Sequence, residues 1–416
     1  MEKVGVLFIG ALGYIATTVM AGALALKRGA GSRAGMVTDL NHFAGLDLVE
    51  PGEIVFGGWD IREGSPRASA AAFLKNNQLV AREIIDAIDD ELDSVLPNLF
   101  RGTARNCGRA IAGLSHPGAV DNECAGLREQ VDKLRSDIQR FRENNRLDTV
   151  IVINLASTEP PLVLHDAHHD LDELECSLDE NRADLVRAST LYAYAAVAED
   201  CPYLNFTPSN GALIPAIIRM AEREGVPVMG NDGKTGETLV KSALAPLFLC
   251  RNLEILSWEG FNILGNMDGK VLDDPENKES KIRTKDRLLG KILGYTPHSS
   301  VHINYVPSLD DQKTAWNFIH FKGFLDVKMS LQFIWQGYDS ILAAPLVLDL
   351  VRLAELARRH GEPGLMPQLA SFFKAPLGAS RHQLCDQFQM LIDYVNRIKR
   401  SKKALANRHL VRGEIV

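Results

Sequence analysis

The chain has 416 residues, with 46 Lys and Arg against 53 Asp and Glu, a formal net charge of −7, and 46% hydrophobic residues. This mixture belongs to a globular protein with a large core and excludes disordered, collagen-like and disulfide-knot classes. The length suggests two or three domains, because one core rarely grows past about 250 to 300 residues, and the acidic balance argues against a nucleic-acid partner.

In chain order, the first element is an uncharged run from Val4 to Leu26. Its length alone would suit a membrane span, which needs about 20 apolar residues, or a signal peptide. The glycines point elsewhere. Val4 to Ile9 is apolar and suits a buried parallel strand. Gly10, Gly13 and Ala16 follow at G-x-x-G-x-x-A spacing and lead into a helical run. Dinucleotide folds use such a strand, turn and helix, because small residues let a pyrophosphate approach the helix N-terminus. No other uncharged run approaches this length, so no membrane is expected. The six scattered cysteines, without a C-x-x-C pair, fit a reducing cytoplasm.

Glu53 to Phe56 reads as a second strand closing on Gly57, Gly58, Trp59 and Asp60. A carboxylate there can hold a ribose diol; Asp39, nearer the usual spacing of about 20 residues, competes with it. Charged helical patterns cover Ala68 to Leu96 and Asn122 to Asn145. Thr149 to Asn154 is a buried strand whose following loop, with Ala156 and Ser157, can seat a nicotinamide ribose. Helix Ala183 to Ala198, strand Tyr203 to Phe206, helix Ala212 to Glu224 and strand Val226 to Met229 continue the alternation. The pattern gives an α/β, Rossmann-type doubly wound parallel sheet over residues 1–240.

The period then changes. Leu253 to Leu264, Val301 to Pro307, Ala315 to Phe321 and Val327 to Trp335 read as strands of a mostly antiparallel, open sheet, an inserted α+β domain over 241–340. Helices over 341–416 are expected to return to the first domain.

Three segments carry chemistry. Gly230 to Thr238, GNDGKTGET, lacks the first glycine of a P-loop, but a glycine-rich turn opening a helix at Thr235, Gly236, Glu237 and Thr238 can hold a phosphate monoester. Asn266 to Arg287 carries Asp268 and four lysines, among them Lys281 and Lys285 on one helix face. Lys374 stands among apolar residues, where a lysine has a lowered pKa or binds an anion. Asp89 to Asp93 resembles a DDxxD magnesium motif but has no companion, and His165, His168 and His169 lack a distant fourth ligand, so no metal is expected.

These motifs resemble the myo-inositol-phosphate synthase family. They are the N-terminal glycine turn, FGGWDI at 56–61, STLYA at 189–193, GNDGKTGET, LGNMDG at 264–269, SKxxxK at 280–285, YDSILAAPLVLDL around Asp339, and FKAPL at 373–377. The resemblance implies an NAD-dependent, redox-neutral cyclisation of a sugar phosphate, most directly glucose 6-phosphate. Oxidation at C5 would acidify C6, an enolate would attack the C1 aldehyde, and the hydride would return. It also implies roles. Gly10, Gly13, Tyr14, Ile15, Asp60, Ala156, Ser157, Thr190, Asn210 and Asp232 would bind NAD. Thr235 to Thr238 and Lys285 would hold phosphate. Lys281, Lys285, Lys374, Asp232, Asp268 and Asp339 would serve catalysis, in a homotetramer joined through the inserted sheet.

The departures from the family pattern are specific. Asn304 is expected in the place of a catalytic lysine in an I-K-Y strand, Glu237 stands for a Gln in the phosphate turn, and Met267 for a second Asn. A diverged member acting on another sugar phosphate, such as fructose 6-phosphate, a plain NAD-dependent dehydrogenase and a non-catalytic homologue are the alternatives.

Overall fold

The computed structural model describes residues 2–75, 79–116, 125–277 and 288–413. The apolar run at the start divides as its glycines require, into strand β1 (Val4–Ile9) and a helix, Tyr14–Lys27. All six residues of β1 are buried, and they alternate: Val4, Val6 and Phe8 enter one hydrophobic core, Leu7 and Ile9 the other. No helix of the described residues is long and apolar enough to cross a membrane.

Six strands join β1 in a parallel sheet. They are β2 (Val55–Asp60), β3 (Leu99–Arg101), β4 (Thr149–Asn154), β5 (Tyr203–Asn205), β6 (Pro227–Gly230) and, much later, β11 (Gly364–Leu365). Their order is β11-β6-β5-β4-β1-β2-β3. The chain builds outward from β1 in one direction and then, from β4, in the other. That reversal opens a crevice at the carboxyl ends of β1 and β4, where ligands of such sheets bind.

Between β6 and β11 lies a second sheet of β7 (Glu254–Leu264), β8 (His298–Tyr305), β9 (Gln312–Lys322) and β10 (Lys328–Tyr338), ordered β10-β9-β7-β8. The β7–β9 and β9–β10 pairs are antiparallel and β7–β8 is parallel. The helix Gly236–Cys250 puts Ala245 and Phe248 against Ile255, Trp258 and Ile319 of this sheet. The last helices return to the first sheet: Ala343 to Ala357 of the helix Asp339–Arg359 share a core with β1, β4 and the Tyr14–Lys27 helix.

Some boundaries differ from expectation, for physical reasons. The second strand contains its glycines instead of ending on them, because β1 runs so close that a Cβ at Gly58 would lie 2.1 Å from the carbonyl oxygen of Phe8. The helical pattern over 68–96 is broken into Pro66–Ala70 and Arg82–Leu92, with a tight 3₁₀ segment at Asp93–Asn98 around Pro97.

Candidate active site

The turn after β1 is shaped by backbone proximity. Gly10 has φ +83°, and a side chain there would meet Ala156 Cα at 3.0 Å. The amides of Gly10 and Ala11 both donate to Trp59 O, at 2.8 and 3.0 Å. Gly13, the N-cap of Tyr14–Lys27, gives the helix no side-chain cap, so its first amides face the crevice without an internal competitor. Asp60 ends β2, and its Oδ2 accepts the amide of Leu12 at 2.8 Å while Oδ1 accepts the amide of Arg62 at 2.9 Å. Ala156 and Ser157 close the crevice from the end of β4. A glycine-lined approach, open helix amides and a carboxylate at the end of the second strand fit a dinucleotide. The competitor Asp39 is exposed and pairs with Arg33 and Arg352, away from the crevice.

We expect Asp60→Ala to weaken dinucleotide binding about 10- to 100-fold, since it removes the carboxylate at the end of β2 and loosens the turn at Leu12. Titration of NAD against the thermal midpoint of wild type and variant checks this.

Across the crevice, two distant segments form a short antiparallel ladder. Asn231 and Ala375 exchange backbone hydrogen bonds, Gly233 pairs with Phe373, and Lys234 N donates to Phe372 O. The ladder delivers Lys374 to Asp232, with Nζ 2.8 Å from Oδ1, and both side chains are at least nine-tenths buried. Asp232, at φ +64°, and Lys374 both line the cavity. The apolar setting expected of Lys374 is real, and the carboxylate of Asp232 is what makes it tolerable.

A second pair was not foreseen. Lys313 on β9 is buried and donates to Asp339 Oδ2 at 2.9 Å. Burial pulls its pKa down, but the charges of Asp339, Glu237 and Asp268 outweigh this and hold it above the ordinary lysine value. The pair abuts the phosphate turn: at Gly236, φ +54°, an added Cβ would lie 3.1 Å from Asp339 Oδ1 and 4.0 Å from Lys313 Nζ. Thr235, the N-cap, lines the cavity and supplies no side-chain cap to Gly236–Cys250, so its own side chain does not compete for the first amides of this helix.

Several expected residues stand elsewhere. Asn304 is exposed on the edge strand β8 and lines no part of the cavity; Lys313, a buried cation of the same sheet, does not line it either, but its partner Asp339 does. The alternation of β9 carried the signal, since Lys313 shares the buried parity of Ala315, Asn317 and Ile319. Beginning that strand at Ala315 hid it. Thr190 is buried beside the crevice, but its hydroxyl donates to Gly211 O and accepts the amide of Arg187. Asn210 is exposed and clasps both backbone groups of Leu162. Both are loop staples and do not line the cavity. Of the phosphate turn, Thr235 lines the cavity, whereas Gly236, Glu237 and Thr238 are buried behind it. Glu237 turns away from an incoming phosphate: it faces Lys241 at 3.7 Å and lies against Gly260 of β7. Asp268 and Met267 line the cavity. Lys281 and Lys285, with the motif at 280–285, lie outside the described residues. Among the described residues no cluster of His, Cys, Asp or Glu suits a metal.

Asp311, another residue that sequence reasoning passed over, lines the cavity and receives the Asn266 side-chain amide at 2.7 Å. Burial pushes its pKa to about 7; the Asn266 hydrogen bond opposes the shift and the charge of Asp339 adds to it. Between the unfolded value and 7 the native state binds the extra proton, so stability falls as pH rises through that window. Asp311→Asn removes this dependence. The stability difference between pH 5 and pH 8 should shrink by on the order of 3 kcal/mol, read from urea unfolding at both values.

A family model described as myo-inositol-1-phosphate synthase matches residues 4–396. Inositol-3-phosphate synthase 1 of Bacteroides thetaiotaomicron is 35% identical over 402 residues, covering 92% of this chain and 91% of that protein. The inositol-3-phosphate synthase structure from Caenorhabditis elegans superposes with a TM-score of 0.83 at 25% identity, covering 95% of this chain and 85% of that one. A myo-inositol-1-phosphate synthase-related protein from Thermotoga maritima shares the fold, with a TM-score of 0.79 at 24% identity over 95% of this chain and 99% of its own. The chain thus binds NAD and belongs to the myo-inositol-1-phosphate synthase family of NAD-dependent isomerases.

Proposed function

We propose that the protein cyclises glucose 6-phosphate to an inositol phosphate by oxidation, enolisation, intramolecular aldol closure and reduction. The observation that carries this reading is the convergence of two lysine–aspartate pairs, Lys374–Asp232 and Lys313–Asp339, on an open phosphate turn beside a dinucleotide crevice. NAD, when bound, supplies a hydride acceptor that is regenerated at the end of the cycle. Gly10, Gly13, Tyr14 and Ile15 would hold its pyrophosphate side, Asp60 a ribose, and Ala156 and Ser157 the nicotinamide side.

The amides opening Gly236–Cys250 receive the substrate phosphate, because a helix N-terminus carries partial positive charge. This fixes the sugar chain with its reacting carbons toward the two lysines. Lys374, on the cavity wall, presents an ammonium oriented by Asp232, and Lys313, buried behind the wall residue Asp339, supplies a second, both suited to oxygens that gain negative charge in the enolate and in the aldol step. Either Nζ can lend a proton to such an oxygen and recover it. Asp268 orients hydroxyls from the cavity wall, and Lys281 and Lys285 complete the cationic set that the family resemblance implies. Closure of such a site keeps the reactive ketone from solvent.

Incubating the protein with NAD and glucose 6-phosphate should yield a cyclic inositol phosphate without accumulation of NADH. Absence of any cyclic product would sink the proposal. A carbocycle from fructose 6-phosphate alone would select that substrate, and net NADH would select a plain dehydrogenase. Assembly into a homotetramer through the second sheet is part of the same reading, supported by the exposed Trp316, Phe324 and Ile334 on or beside it. A cytoplasmic setting is supported by the five free cysteines among the described residues.

A further inference from the structure

The phosphate turn contains a lysine, Lys234, that the mechanism above does not use. Lys234 is 2% exposed, more deeply buried than Lys374, and it does not line the cavity. Gly233 and Thr235 face the cavity on either side of it, so the backbone of the turn separates its side chain from the ligand space. Its Nζ donates to Gln387 Oε1 in the last helix, and Gln387 is itself held by its side-chain amide on Arg381 O. A neutral amide is its one hydrogen-bond partner among the described residues. The charged groups around it are cations or already committed. Lys374 is paired with Asp232. His382 is pushed down by burial first, then by Lys291 and Lys234. Asp386, beside Gln387, is exposed.

A buried ammonium without a carboxylate is strongly unfavourable unless an anion completes it. We infer that Lys234 is a positioning residue of the phosphate site, a built-in cation behind the turn whose missing counter-charge is the phosphate group of the bound substrate. This rests on the proposed function for the identity of the anion. The electrostatics agree: burial, and then the neighbouring charge of Lys374, bring the pKa of Lys234 down to about 8. In the free protein it is therefore partly neutral at mildly alkaline pH. Arrival of a dianion on the other side of the turn restores the proton, so phosphate binding takes up a proton from solution.

The test is isothermal calorimetry on the NAD-loaded protein at pH 8.5, in two buffers of different ionisation heat, with glucose 6-phosphate and with inorganic phosphate as probes. Wild type should take up about 0.7 proton per site at pH 8.5 and nearly none from this group at pH 6.5. Gln387→Glu supplies a permanent counter-carboxylate. It should abolish most of the uptake and weaken binding of both anions about tenfold, while NAD binding stays unchanged. Lys234→Met should also abolish the uptake, and Lys234→Arg should abolish it while keeping phosphate affinity within a few-fold of wild type. Unchanged proton uptake in Gln387→Glu and Lys234→Met would overturn the inference. Uptake with inorganic phosphate, but no cyclic product from any sugar phosphate, would leave Lys234 in this role and overturn only the proposed reaction. Failure of both anions to bind would overturn both.

Discussion

Alanine at Lys374 or at Lys313 is expected to lower turnover by about 10³-fold or more with NAD still bound, because in the proposed reaction each would remove an ammonium that steadies oxygens becoming negative. The two variants should differ in stability. Asp232 and Lys374 are both buried, so Lys374→Ala leaves a carboxylate in a low-dielectric site without its ammonium, a loss of about 3 kcal/mol. Asp339 is more exposed, at 28% of its side chain, and Lys313→Ala should be milder. Combining Lys374→Ala with Asp232→Asn should restore most of the stability and none of the activity. The measurement is kcat alongside the NAD-dependent thermal shift, and wild-type turnover in either single variant would refute the assignment.

Gly58→Ala should be among the most damaging single changes in the chain, at about 3 kcal/mol or more, although it adds one methyl group. At φ +151° the methyl would sit 2.1 Å from Phe8 O and 2.7 Å from Phe8 N, so β1 and β2 would have to part. Asp60, two residues on, would move with β2, and NAD affinity should fall together with stability. Gly22 gives the contrast. It lies inside the Tyr14–Lys27 helix with nothing within 4 Å of an added Cβ, so Gly22→Ala should stabilise by about 0.5–1 kcal/mol. Urea unfolding of both variants measures the difference, and similar midpoints would contradict this account of β1–β2 spacing.

What could be read from the sequence follows from how local each signal is. The dinucleotide half is written in contiguous residues: an apolar strand, spaced glycines and a carboxylate closing FGGWD. The place of Asp60 at the end of β2, beside the glycine turn, was legible despite its unusual distance from the glycines, because strand and carboxylate are adjacent in the chain. Lys374 was legible through its apolar neighbours alone. Lys313 was not, since an isolated lysine after two aspartates looks like surface until the strand register shows which parity is buried. Asn304 failed for the same reason: one residue from the buried Ile303, it belongs to the opposite face. Thr190, in STLYA, and Asn210 were expected at the crevice, yet their side chains are taken by Gly211, Arg187 and Leu162, contacts that no local pattern announces. The charge of Asp311 depends on burial between segments far apart in the chain, which composition cannot express.

The helix Asp339–Arg359 covers one face of a sheet whose β1 and β4 were made far earlier. During synthesis, therefore, Val4, Val6, Phe8, Ile151 and Ile153 stay short of their final cover until the ribosome has passed Arg359, and Lys374 follows only after that. The nascent chain must carry an apolar face for most of its translation. Folding and catalytic competence then arrive almost together, so an incomplete chain is a client for chaperones before it can be a partly working enzyme.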